Sequence, residues 1–242
     1  HKSNLGLKKN WFFTYNYMFK RYKKVICLED DILIKKGFIE FMSFYLNKYE
    51  NNKSVMNITG FSSYVKIPNN YLYDCYLTRR SMSWSQATWR RVWIDFKKIN
   101  KNHIKIIKSK NQKLKLIFAG EDLLRTLTLD YLEYINTFQI WWVYNIVKKS
   151  GLCINPLKNY ISNIGFDGSG VHTKKRDIIK SNKKSNLKYH KMKKIFFSES
   201  INQEFLKNFK INKLVLFILL NVPISVIRII YKFKYFFKSK FI

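Results

Sequence analysis

An apolar run, Val25-Ile26-Cys27-Leu28, leads straight into three consecutive carboxylates, Glu29, Asp30 and Asp31. Adjacent acids repel one another and resist desolvation, so at the end of a buried strand they need a positive counterpart. Two readings satisfy that need. In one, the acids form a solvated turn whose charge Lys35 and Lys36 balance. In the other, they stand where a hard divalent cation binds, because Mg²⁺ or Mn²⁺ takes carboxylate oxygens and completes its shell with substrate phosphate.

The residues after the acids set the fold class. Gly37 opens a segment with Phe38, Phe41, Met42, Tyr45, Leu46 and Tyr49 on one face, the spacing of an amphipathic helix. Val55 to Thr59 reads as a strand ended by Gly60 and followed by a polar Ser62-Ser63 loop. Strand, acids, helix, strand is a βαβ unit, in which ligands lie at the carboxyl ends of the strands. The expectation is an α/β fold whose acids terminate a central strand. Upstream, the aromatic run Trp11 to Tyr22 predicts a helix feeding that strand.

Farther along, after the serine-rich start of residues 81–93, Trp89, Val92, Trp93 and Phe96 share one face of an expected helix, the pattern of core packing. Trp84 precedes it in a serine-rich loop, where its ring either stacks on a sugar or base or packs into the core. Residues 97–115 are lysine-rich and weakly patterned, which predicts a solvated surface excursion. Leu123 to Ile135 predicts a helix with Glu121 and Asp122 near its start, where carboxylates suit the dipole. Leu152 to Pro156 is a strand stopped by proline. The loop Asn163-Ile164-Gly165-Phe166-Asp167-Gly168-Ser169-Gly170-Val171-His172 then holds three of the chain's eight glycines. Such a loop lets main-chain N–H groups approach an anion, or is a plain turn, and no P-loop or dinucleotide fingerprint accompanies it.

Composition bounds the function classes. With 242 residues and 47% hydrophobic content the chain buries a sizeable core. Its net charge of +31 fits an anionic partner. Of its 46 basic residues only eight are arginine, the residue that carries most bidentate base and phosphate reading, so nucleic acid is not the expected partner. Cys27, Cys75 and Cys153 are odd in number and far apart, which points to a reducing compartment rather than a disulfide framework. The four histidines lack metal-ligand spacing.

Several pieces in order resemble a family. Asn4-Leu5-Gly6-Leu7, the strand ending Leu28-Glu29-Asp30-Asp31, Gly37-Phe38, Ser83-Trp84 with Ala87-Thr88-Trp89, and the Asn163 to His172 loop look like bacterial glycosyltransferases of the GT-A fold, akin to N-acetylglucosaminyltransferase I. The resemblance spans about residues 4 to 173. It implies a Rossmann-like nucleotide-diphospho-sugar transferase domain over residues 1–190, lacking its first strands, which would precede His1. It implies Mn²⁺ or Mg²⁺ held directly by Asp31, and donor binding by Asn4, Gly6, Glu29, Asp30, Trp84, Gly165, Gly168, Ser169, Gly170 and His172. The substrates would be a nucleotide-sugar donor and a glycan or lipid-linked acceptor in surface polysaccharide synthesis. The chain departs from the family where Ser85 and Gln86 replace Gly and Trp, and where residues 136–142 lack the usual aspartate. Glu121 or Asp122 would then have to serve as general base. An inactive remnant of the family, or a basic nucleic-acid-binding protein, are the rival expectations.

The tail, residues 191–242, is basic and aromatic. Leu214 to Ile227 is an apolar run of 14 residues interrupted by Asn221 and Pro223, shorter than the ~20 needed to cross a bilayer. Beyond Arg228, Tyr231, Phe233, Tyr235, Phe236 and Phe237 alternate with lysines. That pattern suits an interfacial helical segment on an anionic membrane surface, and equally a terminal helix packed on the core. The location expected from these features is cytoplasmic, peripheral on the inner face of the cell membrane.

Overall fold

The computed structural model describes residues 4–99, 103–165 and 196–240. The aromatic run folds as α1 (Leu7–Arg21), which buries Tyr15 and Phe19 while Leu7, Phe13 and Tyr17 stay half exposed. It feeds β1 (Lys24–Leu28), and the acid turn separates β1 from a short strand that the sequence pattern does not reveal, β2 (Ile32–Ile34). Next, α2 (Phe38–Lys48) buries Phe38, Phe41, Met42, Tyr45 and Leu46, the expected face. It begins at Gly37 because φ there is +90° and an added Cβ would stand 3.2 Å from the Tyr160 ring. Every residue of β3 (Val55–Thr59) is buried. Then come β4 (Cys75–Thr78), β5 (Ser85–Trp89), α3 (Arg90–Ile99), α4 (His103–Lys108), α5 (Lys110–Ile117), α6 (Asp122–Tyr131) and α7 (Gln139–Lys148). The chain continues through β6 (Leu152–Pro156) and β7 (Ile161–Asn163), and after the undescribed stretch through α8 (Glu199–Leu206), α9 (Lys213–Asn221) and α10 (Ile224–Lys240).

The result is a mixed α/β fold around a five-stranded sheet in the order β1-β5-β3-β6-β4. β5 lies antiparallel to both β1 and β3, β6 is parallel to β3, and β4 is antiparallel to β6. Hence β1, β3 and β6 point the same way, and their carboxyl ends share one rim of the sheet with the amino ends of β4 and β5. The expected βαβ unit is present but split, with β5 inserted between its strands.

Three expectations are corrected. The acids end an edge strand, not a central one: Val25 is buried, but Leu28 is 40% exposed and β1 pairs only with β5 among the described residues. An apolar run reads alike at an edge and at a centre. Residues 85–89 form a strand rather than the start of a helix, which begins only at Arg90. Their polar side chains are satisfied across the fold: Ser85 Oγ accepts from Gly60 N–H at 2.8 Å and Thr88 Oγ1 donates to Met56 O at 2.8 Å. Residues 97–115 are not a solvated excursion, since α4 and α5 bury Ile106, Ile107 and Leu116 and even draw in Lys113. Two helices of six and eight residues are too short to display a periodicity above their lysines.

Aromatic packing ties α1, α3 and α7 together. Tyr15, Trp93, Phe96, Phe138 and Trp142 interlock, with centroids such as Tyr15–Trp93 at 5.1 Å and Phe96–Trp142 at 5.2 Å. The polar tips find partners, as buried indoles and phenols generally do: Trp142 Nε1 donates to Asn57 Oδ1 at 3.0 Å and Trp89 Nε1 to Leu46 O at 3.0 Å. α7 is buried continuously from Ile140 to Val147, the mark of an interior helix. The tail joins this core, because Leu219 of α9 and Ile227 of α10 are buried within it. Asn221-Val222-Pro223 breaks the tail into two helices, and among the described residues no helix is long and apolar enough to cross a membrane. All three cysteines are free.

Candidate functional site

The acid turn is the place where the chain leaves one sheet for another. β1 belongs to the large sheet, while β2 pairs antiparallel with β7, with Ile32 opposite Asn163 and Ile34 opposite Ile161. That pairing carries the 163–165 segment against the acids. Ile164 N–H donates to Asp31 O at 2.9 Å, Asn163 Nδ2 donates to Asp31 Oδ2 at 3.0 Å, and Asn163 Oδ1 accepts from Gly165 N–H at 2.7 Å. A Cβ on Gly165 would stand 2.6 Å from Asp31 Oδ2, so glycine is what permits the approach. The other carboxylate oxygen, Asp31 Oδ1, is buried with no hydrogen-bond partner among the described residues.

Beside it, burial pushes the Glu29 carboxyl up to about 7, with the negative charges of Asp31 and then Asp30 adding to the effect. Lys35 and Lys36 are exposed, and no ion pair among the described residues joins them to the acids. The charge-balanced solvated turn is therefore not what forms.

Glu29 opens on a cleft of about 300 Å³ lined by Leu7 and Trp11 of α1, Ser83 before β5, Thr126 of α6, and the 135–139 segment entering α7. A network fixes that segment. Asp130 Oδ1 accepts from Thr137 N–H at 2.9 Å and its Oδ2 from Trp141 Nε1 at 2.8 Å. Gln139 Nε2 donates to Ser81 O at 2.7 Å and its Oε1 accepts from Gln86 Nε2 at 2.6 Å. Gln86, one of the departures from the family pattern, thus tightens the wall of the cleft. Sequence reasoning missed Asp130 and Gln139. A carboxylate in the last turn of a helix opposes the dipole, and that misfit at Asp130 is the signal that it holds something else.

No protein-family model and no curated protein matches this chain. Its site therefore stands on geometry alone, and the geometry brings together only some of the residues singled out above. Asp31 meets Gly165, and Glu29 shares the cleft with Leu7, whose helix starts where Gly6 N–H donates to Asn4 Oδ1 at 2.8 Å. Asp30 is exposed at the turn. Trp84 lies partly buried against Phe61, with centroids 4.3 Å apart, and its carbonyl accepts from Glu29 N–H at 3.2 Å.

Glu121 and Asp122 do not line the cleft. Asp122 is held bidentately by Arg80 at 2.7 and 2.9 Å, and Glu121 Oε2 accepts from Ile211 N–H at 3.0 Å. Gly168, Ser169, Gly170 and His172 lie outside the described residues. Among the described residues no three His, Cys, Asp or Glu side chains gather as a cation cage. The donor set that exists is an orphaned, buried carboxylate oxygen on Asp31 with Glu29 close by in the same turn, which fits a hard cation sharing its shell with a diphosphate.

Proposed function

We propose that this chain is a glycosyltransferase of the GT-A kind, moving a sugar from a nucleotide-sugar donor to a glycan or lipid-linked acceptor in surface polysaccharide synthesis. The observation that carries the reading is Asp31, whose Oδ1 is buried without a partner among the described residues while its Oδ2 accepts from Asn163, itself held by the Gly165 N–H. An isolated buried carboxylate oxygen is costly, and a ligand that supplies positive charge removes the cost. Asp31 would hold Mn²⁺ or Mg²⁺, which when bound offsets the charge developing on a departing nucleoside diphosphate.

The chain's own residues do the remainder. Asn163 orients Asp31, and Gly165 keeps the neighbouring backbone low enough for an anion to approach. Ser83, Thr126, Asn136 and Thr137 offer hydroxyl and amide groups to sugar hydroxyls, with the Trp11 ring as an apolar wall. Glu29 is the one carboxylate among the lining residues, so a proton leaving an acceptor hydroxyl in this cleft has Glu29 to go to. Attachment at the cytoplasmic face of the membrane, through α9 and α10, would place the cleft near a lipid-linked acceptor. The free cysteines support a reducing compartment.

A second reading, an inactive relative that keeps donor binding, is favoured by one observation: the amide of Gln139 is committed to Gln86 and Ser81 in the segment where a carboxylate is expected. Calorimetric titration of nucleoside diphosphates with Mn²⁺ tests the site, and donor turnover separates the two readings. Asp31→Ala is expected to weaken metal-dependent diphosphate binding at least ~100-fold. Unchanged binding by that variant removes the assignment.

A further inference from the structure

At the far end of α6 from Asp122, the turn between α9 and α10 closes a second and larger cavity of about 890 Å³ against α4, α5 and Tyr131. Its lining holds four cations, Lys108, Lys110, Lys113 and Arg228, and no carboxylate. None of the four is in an ion pair among the described residues. The nearby Asp130 carboxylate is turned to Thr137 and Trp141 instead.

Lys113 is the informative member. It is only 6% exposed, and its ammonium donates to Leu219 O at 2.7 Å as its one acceptor among the described residues. Two of its three N–H groups are left without an acceptor among the described residues. Burying an ammonium so incompletely solvated is unfavourable, and an anion in the cavity would correct it. Lys110 reaches the turn as well, donating to Asn221 Oδ1 at 2.7 Å, and α10 begins at Ile224 with the positive end of its dipole on the same cavity.

Next to this cavity α10 carries an apolar stripe on the side away from the core. Val226, Ile229, Ile230 and Phe233 recur at helical spacing and are 44%, 55%, 47% and 61% exposed. On α9, Leu214 and Phe217 are 67% and 61% exposed. A second copy of this chain is a poor cover, because it would bring two proteins of net charge +31 together. An anionic leaflet matches both features: its headgroups complement the lysines and its acyl region the stripe, and helices of this length lie on a bilayer rather than cross it.

We propose that the cavity is a headgroup site for an anionic membrane phospholipid, its phosphate taken by Lys108, Lys110, Lys113 and Arg228 and its acyl chains lying along the α10 stripe. The proposal rests on the membrane attachment put forward above and is independent of sugar transfer.

Sedimentation of the full chain with phosphatidylglycerol-containing vesicles tests it. Lys113 is left intact for the sake of the fold. The variant Lys108→Gln/Lys110→Gln/Arg228→Gln is expected to lower vesicle partitioning about 100-fold, on the scale of about 1 kcal/mol per basic residue at the surface. Removing the same charge elsewhere, with Lys53→Gln/Lys66→Gln/Lys158→Gln, is expected to cost less than ~10-fold through the weaker long-range field. Ile229→Gln/Phe233→Gln should lower partitioning with the cavity intact. If the unmodified chain ignores the vesicles, attachment and headgroup site fail together. If it binds and the two charge variants lose equally, attachment stands and the cavity is overturned as its site. Saturable binding of inorganic phosphate without vesicle binding would make this a free-phosphate site and overturn the proposal too.

Discussion

Two pairs of acids near the same sheet are treated in opposite ways. Glu121 and Asp122 are neutralised by the protein itself: Arg80 clamps Asp122, Ile211 N–H reaches Glu121, and the Arg80 guanidinium lies 3.7 Å from the Phe209 ring centroid. Glu29 and Asp31 are in no ion pair among the described residues, in a chain with 46 basic residues and 15 acidic ones. With cations so abundant, an unpaired cluster reflects placement rather than shortage. The paired acids tie α6 and the segment before α9 to the fold. In the acid turn Asn163 meets one oxygen of Asp31, and the other has no hydrogen-bond partner among the described residues.

Stability measurements break or sharpen that contrast. Arg80→Ala strands Asp122, whose side chain is 32% exposed, beside a pair that was bidentate. Because the carboxylate still reaches water, the expected loss is about 2 kcal/mol rather than the 3–5 of a fully buried pair. Asp31→Asn removes one of three like charges and is expected to leave stability unchanged or raised by up to ~1 kcal/mol. Urea unfolding of both variants in chelator decides the matter. A loss in Asp31→Asn as large as in Arg80→Ala would make the acid turn structural.

A smaller effect is expected at Gly165. The Cβ of Gly165→Ala would stand 2.6 Å from Asp31 Oδ2, forcing the short Asp side chain to rotate away from Asn163. Metal-dependent diphosphate binding should weaken about 10-fold, with global unfolding little altered. Binding unchanged in this variant would separate Asp31 from the ligand and align it with Asp122 as a structural acid.

Local pattern and distant partners explain what the sequence revealed. α2, β3 and β6 were legible because each is a short-range statement: an apolar face opened by Gly37, a buried run closed by Gly60, a strand ended by Pro156. The acid turn itself was legible because three consecutive carboxylates after an apolar run are a local feature too. The position of β1 at an edge was not, since it depends on β5, whose Ser85, Gln86 and Thr88 look like loop residues until Gly60, Gln139 and Met56 complete their hydrogen bonds. The cleft was hidden for the same reason: Leu7, Glu29, Ser83, Thr126 and Asn136 are far apart in sequence. Lys113 reads as a surface lysine and is in fact buried on Leu219 O.

A third kind of acid gives the finest test. Asp74 is 7% exposed; its Oδ1 accepts from Tyr45 O–H at 2.8 Å, while its Oδ2 is buried without a hydrogen-bond partner among the described residues. Its neighbours are Tyr45, whose hydroxyl also accepts from the Cys75 thiol, and Lys48. Burial raises the Asp74 carboxyl above its ordinary range, although the Tyr45 hydrogen bond and the Lys48 charge pull the other way. The fold therefore binds the Asp74 proton more tightly than the unfolded chain does. Stability from this group is fully present below the ordinary carboxylate range and is lost as pH rises through the raised value. Asp74→Asn keeps an acceptor for Tyr45 and cannot ionise, so it should remove this part of the slope and be at least as stable as the parent at neutral pH. The measurement is the difference between variant and parent in urea midpoint across the acidic to neutral range, which cancels the slope common to both, including that of Glu29. A constant difference would mean that Asp74 takes up its proton over the same pH range in the fold as in the unfolded chain. Asp31 and Asp74 would then stand as two carboxylates on the same rim of the sheet, each with one buried oxygen that has no hydrogen-bond partner among the described residues.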